Sequence, residues 1–258
     1  MSRVLYFGPA EIQLLGVFHP STERVQRSEG ILLCYPGPQE YMRIHWAMRR
    51  LAGMLSQRGF PTFRFDYHGT GDSAGDSAAG TLARWQQDIA LAHEELIALG
   101  QVRQVSIVGF RLGATLAARA VNAGLAVKSL ALWDPVVSGS SYLAELMAQE
   151  DLERAWSLCP GPRHATELLG HHLSESERRA TKDIDLPTVT LKAAVQRLGL
   201  FHTSAHTDFD HLSSAWTAQG LDHTRRQVTE DGPPRRRGMI MANKALADLA
   251  SWLEAEPT

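Results

Sequence analysis

Four runs of strand length, 31–35 (ILLCY), 62–65 (TFRF), 105–108 (VSIV) and 129–133 (SLALW), recur along the chain with helix-length segments between them. A mainly apolar strand without a polar alternate suits a sheet covered on both faces, and a covered parallel sheet needs crossover helices. The intervening segments supply them. Ile44, Met48, Leu51 and Leu55 repeat at helical spacing and stop at Gly59; Leu82, Trp85, Ile89, Ala92, Leu96 and Leu99 do so and stop at Gly100. A last helix places Ala242, Leu246, Leu249 and Leu253 on one face. The alternation predicts an α/β protein with a mostly parallel sheet and helices on both faces.

The alternation stops at 138–186, where Leu143, Leu146, Leu152, Trp156, Leu168 and Leu169 stand among His, Glu and Arg without strand-like runs. This segment is expected to be a helical cap inserted into a core of residues 1–137 and 187–258. A cap there lies over the carboxyl ends of the strands, where open α/β sheets bind ligands. The length, 258 residues, fits one large domain with such an insertion.

Composition narrows the function classes. With 44% apolar and 21% charged residues, disordered and low-complexity classes are excluded. Basic and acidic residues number 26 and 28, so no global field favours nucleic acid or an anionic membrane. No apolar run approaches the ~18 residues of a membrane span. The start, MSRVLYFGP, has no basic region followed by an apolar signal core, and two cysteines, Cys34 and Cys159, give no disulfide framework. A reducing cytoplasm is the expected location. Nothing in the sequence fixes the oligomeric state.

Strand 105–108 runs into Gly109-Phe110-Arg111-Leu112-Gly113 and then an Ala-rich helix. Glycines flanking one residue between strand and helix are the pattern of the GxSxG nucleophile elbow, a strained turn that lifts one side chain above the sheet. Here that side chain is Arg111. Two further motifs accompany it, YPGPQEY at 35–41 and RFDYHGTGDSAGD at 64–76. On these three motifs the chain resembles the α/β hydrolases, close to the serine-aminopeptidase-like group and the hydrolases associated with exosortase systems. The resemblance covers most of the chain. It implies that Asp66, Gly69, Gly71 and Ser73 shape the mouth of a site, as the Asp-x-x-Gly-x-Gly-x-Ser loop does in that family, although Asp66 also suits a turn accepting backbone hydrogen bonds.

The resemblance further implies a nucleophile, an acid and a His in that order, and here the chemistry departs from it. Arg111 stays protonated at neutral pH and cannot attack a carbonyl. Asp134 and Asp208 both follow strands, 129–133 and the expected 197–203, and are the candidate acids; the family more often uses the second position. The segment 230–239 (EDGPPRRRGM), where a His is implied, contains none. Oxyanion-type donors would be the backbone N–H of Leu112 and that of Gly37 or Gln39, since Pro36 and Pro38 have none.

Three imidazoles and two carboxylates crowd 202–211 (HTSAHTDFDH), read as a rim loop. Their spacing matches no zinc or iron motif, so neither a metal nor a cofactor is expected, and His206 or His211 is the candidate replacement base. His68, His171 and His172 are read as lining or surface residues. Arg111 at a helix N-terminus, with the run Arg235 to Arg237 on the same rim, reads as an anion site. Tyr35, Asp66, Phe110 and Arg235 are the expected ligand contacts. A guanidinium held under a cap needs an acidic partner, for which Asp134, Asp208 and Asp66 are the candidates. Three functions follow in order: a non-hydrolytic or unusual enzyme taking a small acyl, carboxylate or phosphate molecule; a catalytically dead ligand- or protein-binding module; and a hydrolase with a displaced nucleophile, Cys34 or Ser73.

Overall fold

A computed structural model describes residues 2–158, 161–162, 164–191, 195–228 and 243–255. Cys159, the segment 230–239 with Arg235 to Arg237, and Ala242 lie outside them. The elements run β1 (Arg3–Phe7), β2 (Leu14–His19), β3 (Glu29–Cys34), α1 (Pro38–Ser56), β4 (Thr62–Phe65), α2 (Leu82–Gly100), β5 (Gln104–Phe110), α3 (Leu112–Asn122) and β6 (Val127–Trp133). There follow α4 (Gly139–Ala155), β7 (Glu167–Leu168), β8 (His171–His172), α5 (Glu175–Lys182), β9 (Val195–His202), α6 (Thr207–Ala218), β10 (Thr224–Gln227) and α7 (Asn243–Glu254).

Eight strands form one sheet in the order β1-β2-β4-β3-β5-β6-β9-β10. From β4 to β10 every pairing is parallel, and only the β1–β2 and β2–β4 pairings are antiparallel. All six residues of β3 are buried, and so is β5 after its first residue, because helices cover both faces of the central strands. α1 packs against α7 and α2 against α3. The faces they bury carry the apolar repeats, Ile44, Met48, Leu51 and Leu55 in α1 and Leu246, Leu249 and Leu253 in α7. β2 alternates buried with half-buried residues, as suits a strand near the sheet edge.

The structure adds elements that the apolar runs do not announce. β10 (TRRQ) is polar throughout at one sheet edge, while β1 (RVLYF) and β2 (LLGVFH), at the other, hold short apolar runs beyond the four singled out. The stretch 138–186 holds a two-residue pair, β7 with β8, besides its helices. The expected rim loop at 202–211 is mostly regular: His202 closes β9, and residues from Thr207 onward wind into α6. His206 Nδ1 caps that helix by accepting the Asp208 N–H, and Asp208 and Asp210 sit in its first turn, where carboxylates suit the dipole.

Helix α3 can follow β5 so abruptly because the flanking residues have no Cβ. A Cβ on Gly113 would lie 2.0 Å from the Tyr35 carbonyl oxygen, and one on Gly109 would lie 2.4 Å from Ala114 Cα. Both obstacles are backbone, which cannot yield locally. Gly113→Ala is therefore expected to cost more than about 3 kcal/mol or to prevent folding, through overpacking. Gly53→Ala, in α1 with nothing within 4 Å of the new methyl, is expected to add about 0.5–1 kcal/mol. Urea unfolding of both variants checks this, and similar stabilities for the two would contradict it.

Candidate functional site

The carboxyl ends of β5, β6 and β9 are laced together in sequence. The Arg111 N–H donates to the Trp133 carbonyl at 2.9 Å, the Asp134 N–H to Phe201 at 2.8 Å, and the Thr203 N–H returns to Asp134 Oδ1 at 2.9 Å. The chain turns out of β5 and β6 through two residues with positive φ, Arg111 at 51° and Asp134 at 43°. Neither is glycine, and such positions cost energy that the surroundings must supply. The strain is concentrated where the two side chains face one open cleft of about 440 Å³, which Pro36, Glu40, Arg43, Tyr142, His206 and Asp208 also line.

Arg111 stands between β5 and α3 as the residue before the first turn of α3, and its side chain does not cap that helix. It is held by carboxylates. Nε donates to Glu40 Oε1 at 2.8 Å and Nη2 to Glu145 Oε2 at 2.6 Å. The second Glu40 oxygen accepts from the Tyr142 hydroxyl at 2.8 Å, and the Tyr142 ring lies 5.4 Å from the guanidinium carbon. Burial alone would lower the guanidinium pKa, but Glu40 and then Glu145 outweigh it and hold the group above its ordinary value. Burial and the Glu40 charge likewise push the Tyr142 phenol well up, so it stays a donor.

An acidic partner was expected and is present, but it is none of the three aspartates proposed from the sequence. Asp66 is buried, accepting from Tyr41 Oη at 2.8 Å and the Asp72 N–H at 3.2 Å. Asp134 spends both oxygens on Thr203, the second on its hydroxyl at 2.8 Å. Asp208 lies 3.6 Å from His206 Nδ1. The partners come instead from the first turn of α1 and the middle of α4, 71 and 34 residues away in sequence. The signal for Glu40 is slight: it is an acid three residues into a helix that opens with Pro38.

The other expected site residues divide into two groups. Arg111, Asp134, His206 and Asp208 line the cleft together. Tyr35 and Phe110, each 1% exposed, do not: Tyr35 Oη accepts from Arg64 and Phe110 packs on Trp133. His211 is on the exposed side of α6. Gly37 caps α1, and Leu112 Cδ2 and Tyr142 Oη would lie 3.2 and 3.4 Å from a Cβ placed on it; Gln39 follows in the helix. His202 Nδ1 must donate to the Ser204 carbonyl at 3.0 Å, which leaves Nε2 to accept from Arg225 Nε at 3.2 Å. That imidazole is occupied on both nitrogens. Among the described residues no group of three His, Cys, Asp or Glu side chains could hold a metal ion, and no helix is long and apolar enough to cross a membrane.

Solved structures share this architecture over nearly the whole chain. DcsB, solved with a substrate analogue, superposes with a TM-score of 0.69 at 12% identity, over 98% of each chain. An esterase of Pyrococcus furiosus gives 0.67 at 14% identity, over 98% of this chain and 90% of that one. A Xanthomonas campestris protein described as an α/β serine hydrolase without a lid gives 0.60 at 15% identity, over 99% and 97%. The chain has the α/β-hydrolase fold. No protein-family model and no curated protein matches it by sequence. In this α/β-hydrolase fold, Arg111 occupies the turn between β5 and α3 and lines the cleft.

Asp134 offers a test of how the cleft floor is held. Asn can accept the Thr203 N–H, face the Thr203 hydroxyl and tolerate a φ of 43°. Asp134→Asn is therefore expected within about 0.5 kcal/mol of the parent, and Asp134→Ala about 1–3 kcal/mol lower, from the stranded Thr203 donors. Burial raises the Asp134 carboxyl pKa, against the pull of Thr203 and Arg111. The native state thus holds that proton more tightly than the unfolded chain, and stability of the parent relative to Asp134→Asn should rise as pH falls from 7 to 4. Urea unfolding across that range checks both points; a difference that shrinks with falling pH would contradict the second.

Proposed function

We propose that this protein is a non-hydrolytic member of the α/β-hydrolase fold that binds a small carboxylate- or phosphate-bearing molecule in the cleft above Arg111. The observation that carries this reading is the guanidinium itself, standing at the elbow and locked to Glu40. A permanently protonated group cannot form an acyl intermediate, whereas it suits a fixed contact to an anion. Arg43, also lining the cleft, has a buried Nε without a hydrogen-bond partner among the described residues. An anionic ligand reaching it would satisfy that donor.

The displaced-nucleophile reading has little support. Cys34 is fully buried, and that burial drives its thiol pKa upward, away from the reactive thiolate. Ser73 spends its hydroxyl on the Asp66 carbonyl at 2.6 Å while accepting the Leu15 N–H at 2.9 Å. Proton transfer is equally poorly served. Asp134 is committed to Thr203, and His206 accepts a backbone N–H at Nδ1, which puts the proton of the neutral ring on Nε2 and makes that nitrogen a donor and not a base. A binding module is therefore the preferred reading over an unusual enzyme. Residues 138–186 act in this reading as a helical cap, with Tyr142 and Glu145 of α4 reaching down to Glu40 and Arg111.

A charge-assisted contact contributes about 1.5–3 kcal/mol, so hexanoate should bind the parent roughly ten- to a hundredfold more tightly than a variant without the guanidinium. The variant is Arg111→Met made together with Glu40→Gln, which leaves no unpaired buried carboxylate. Calorimetric titration with hexanoate and inorganic phosphate measures this, and equal affinities in parent and double variant would refute the reading. A fluorophosphonate probe should label no serine at the cleft, and Arg111→Ser should gain no efficient esterase activity. A stoichiometric adduct on a cleft serine of the parent would refute the non-hydrolytic assignment.

A further inference from the structure

We infer that Glu145 occupies the position of the ligand's anionic group, so that binding exchanges the Glu145 carboxylate on Arg111 Nη2 for a carboxylate or phosphate of the ligand. This rests on the binding reading above and names the group the ligand displaces. The two acids on Arg111 are unequal. Glu40 is 13% exposed and has both oxygens engaged, one by Arg111 Nε and one by Tyr142. It is built into the site. Glu145 is 59% exposed and touches the guanidinium through one oxygen only, at 2.6 Å.

The cost of moving each differs accordingly. Pulling Glu40 away would leave the largely enclosed guanidinium and the buried Tyr142 phenol without their carboxylate, whereas Glu145 is itself 59% exposed and regains water when it departs, with Glu40 still on the guanidinium. The exchange also conserves charge. One guanidinium already carries two carboxylates, so a third anion arriving beside Glu145 would meet an excess of negative charge. An anion arriving in place of Glu145 leaves the local count unchanged. Glu145 thereby acts as an internal competitor, and α4 itself need not move, because the Tyr142–Glu40 hydrogen bond still holds it over the elbow.

The test is hexanoate affinity in the full chain, with neutral hexanamide as the control ligand. Glu145→Gln and Glu145→Ala should each bind hexanoate at least about threefold more tightly than the parent, the factor set by a freed exposed ion pair, with hexanamide affinity unchanged. Asp208→Asn removes a cleft carboxylate that sits beside His206 instead, and should shift hexanoate affinity by less than that factor. Unchanged or weaker hexanoate binding in both Glu145 variants would overturn the exchange. Equal gains from Asp208→Asn and Glu145→Gln would overturn it too, by showing a general field effect. Loss of hexanoate binding in the Arg111→Met, Glu40→Gln variant together with no gain at Glu145 leaves the binding reading standing and sinks only the exchange. Unchanged binding in that double variant overturns both.

Discussion

The ion pair between Arg111 and Glu40 is the interaction on which the site depends. An arginine between β5 and α3 is costly to place: its backbone has positive φ, and its charged side chain is only 23% exposed. Such a cation persists only if a carboxylate is delivered to it. Glu40 is delivered by the first turn of α1, where the helix dipole favours a negative charge. Glu40 thus sits at a helix end that favours an anion and neutralises the cation in the β5–α3 turn.

The same pair joins three parts of the chain. Glu40 belongs to α1, Arg111 to the β5–α3 turn, and Tyr142, which bonds the remaining Glu40 oxygen, to α4. Below them the sheet edge is rigid, because Arg111, Asp134 and Thr203 are tied in series across β5, β6 and β9. In the binding reading proposed above, a ligand in the cleft would meet a preorganised floor and one adaptable wall, the exposed side chain of Glu145. This division suits binding, in which a fixed guanidinium sets the position of an anion and little ordering remains to be done.

The central sheet was legible in the sequence because strands covered on both faces need apolar residues throughout, and the runs at 31–35, 62–65, 105–108 and 129–133 all lie in the strands of the sheet or at their ends. β1 and β2 were not, since they pair antiparallel with no crossover helix between them and so fall outside the alternation of strand and helix that marks the rest. The arginine in the β5–α3 turn and its need for an acid were also legible. Which acid was not: Glu40 and Glu145 lie on helices, where isolated acids look like any solvated surface, and only the packing of α1 and α4 at the elbow selects them. The aspartates that sequence position favoured were claimed locally, Asp134 by Thr203 and Asp66 by its own loop and Tyr41.

A double-mutant cycle between Arg111 and Glu40 tests this account most directly, using urea unfolding of Arg111→Met, Glu40→Gln and the double variant. A mutual dependence of the two charges predicts that each single change is costly and that the double change costs less than their sum by about 2 kcal/mol. Additivity within about 0.5 kcal/mol would contradict it, because the guanidinium would then owe its place at the elbow to something other than Glu40.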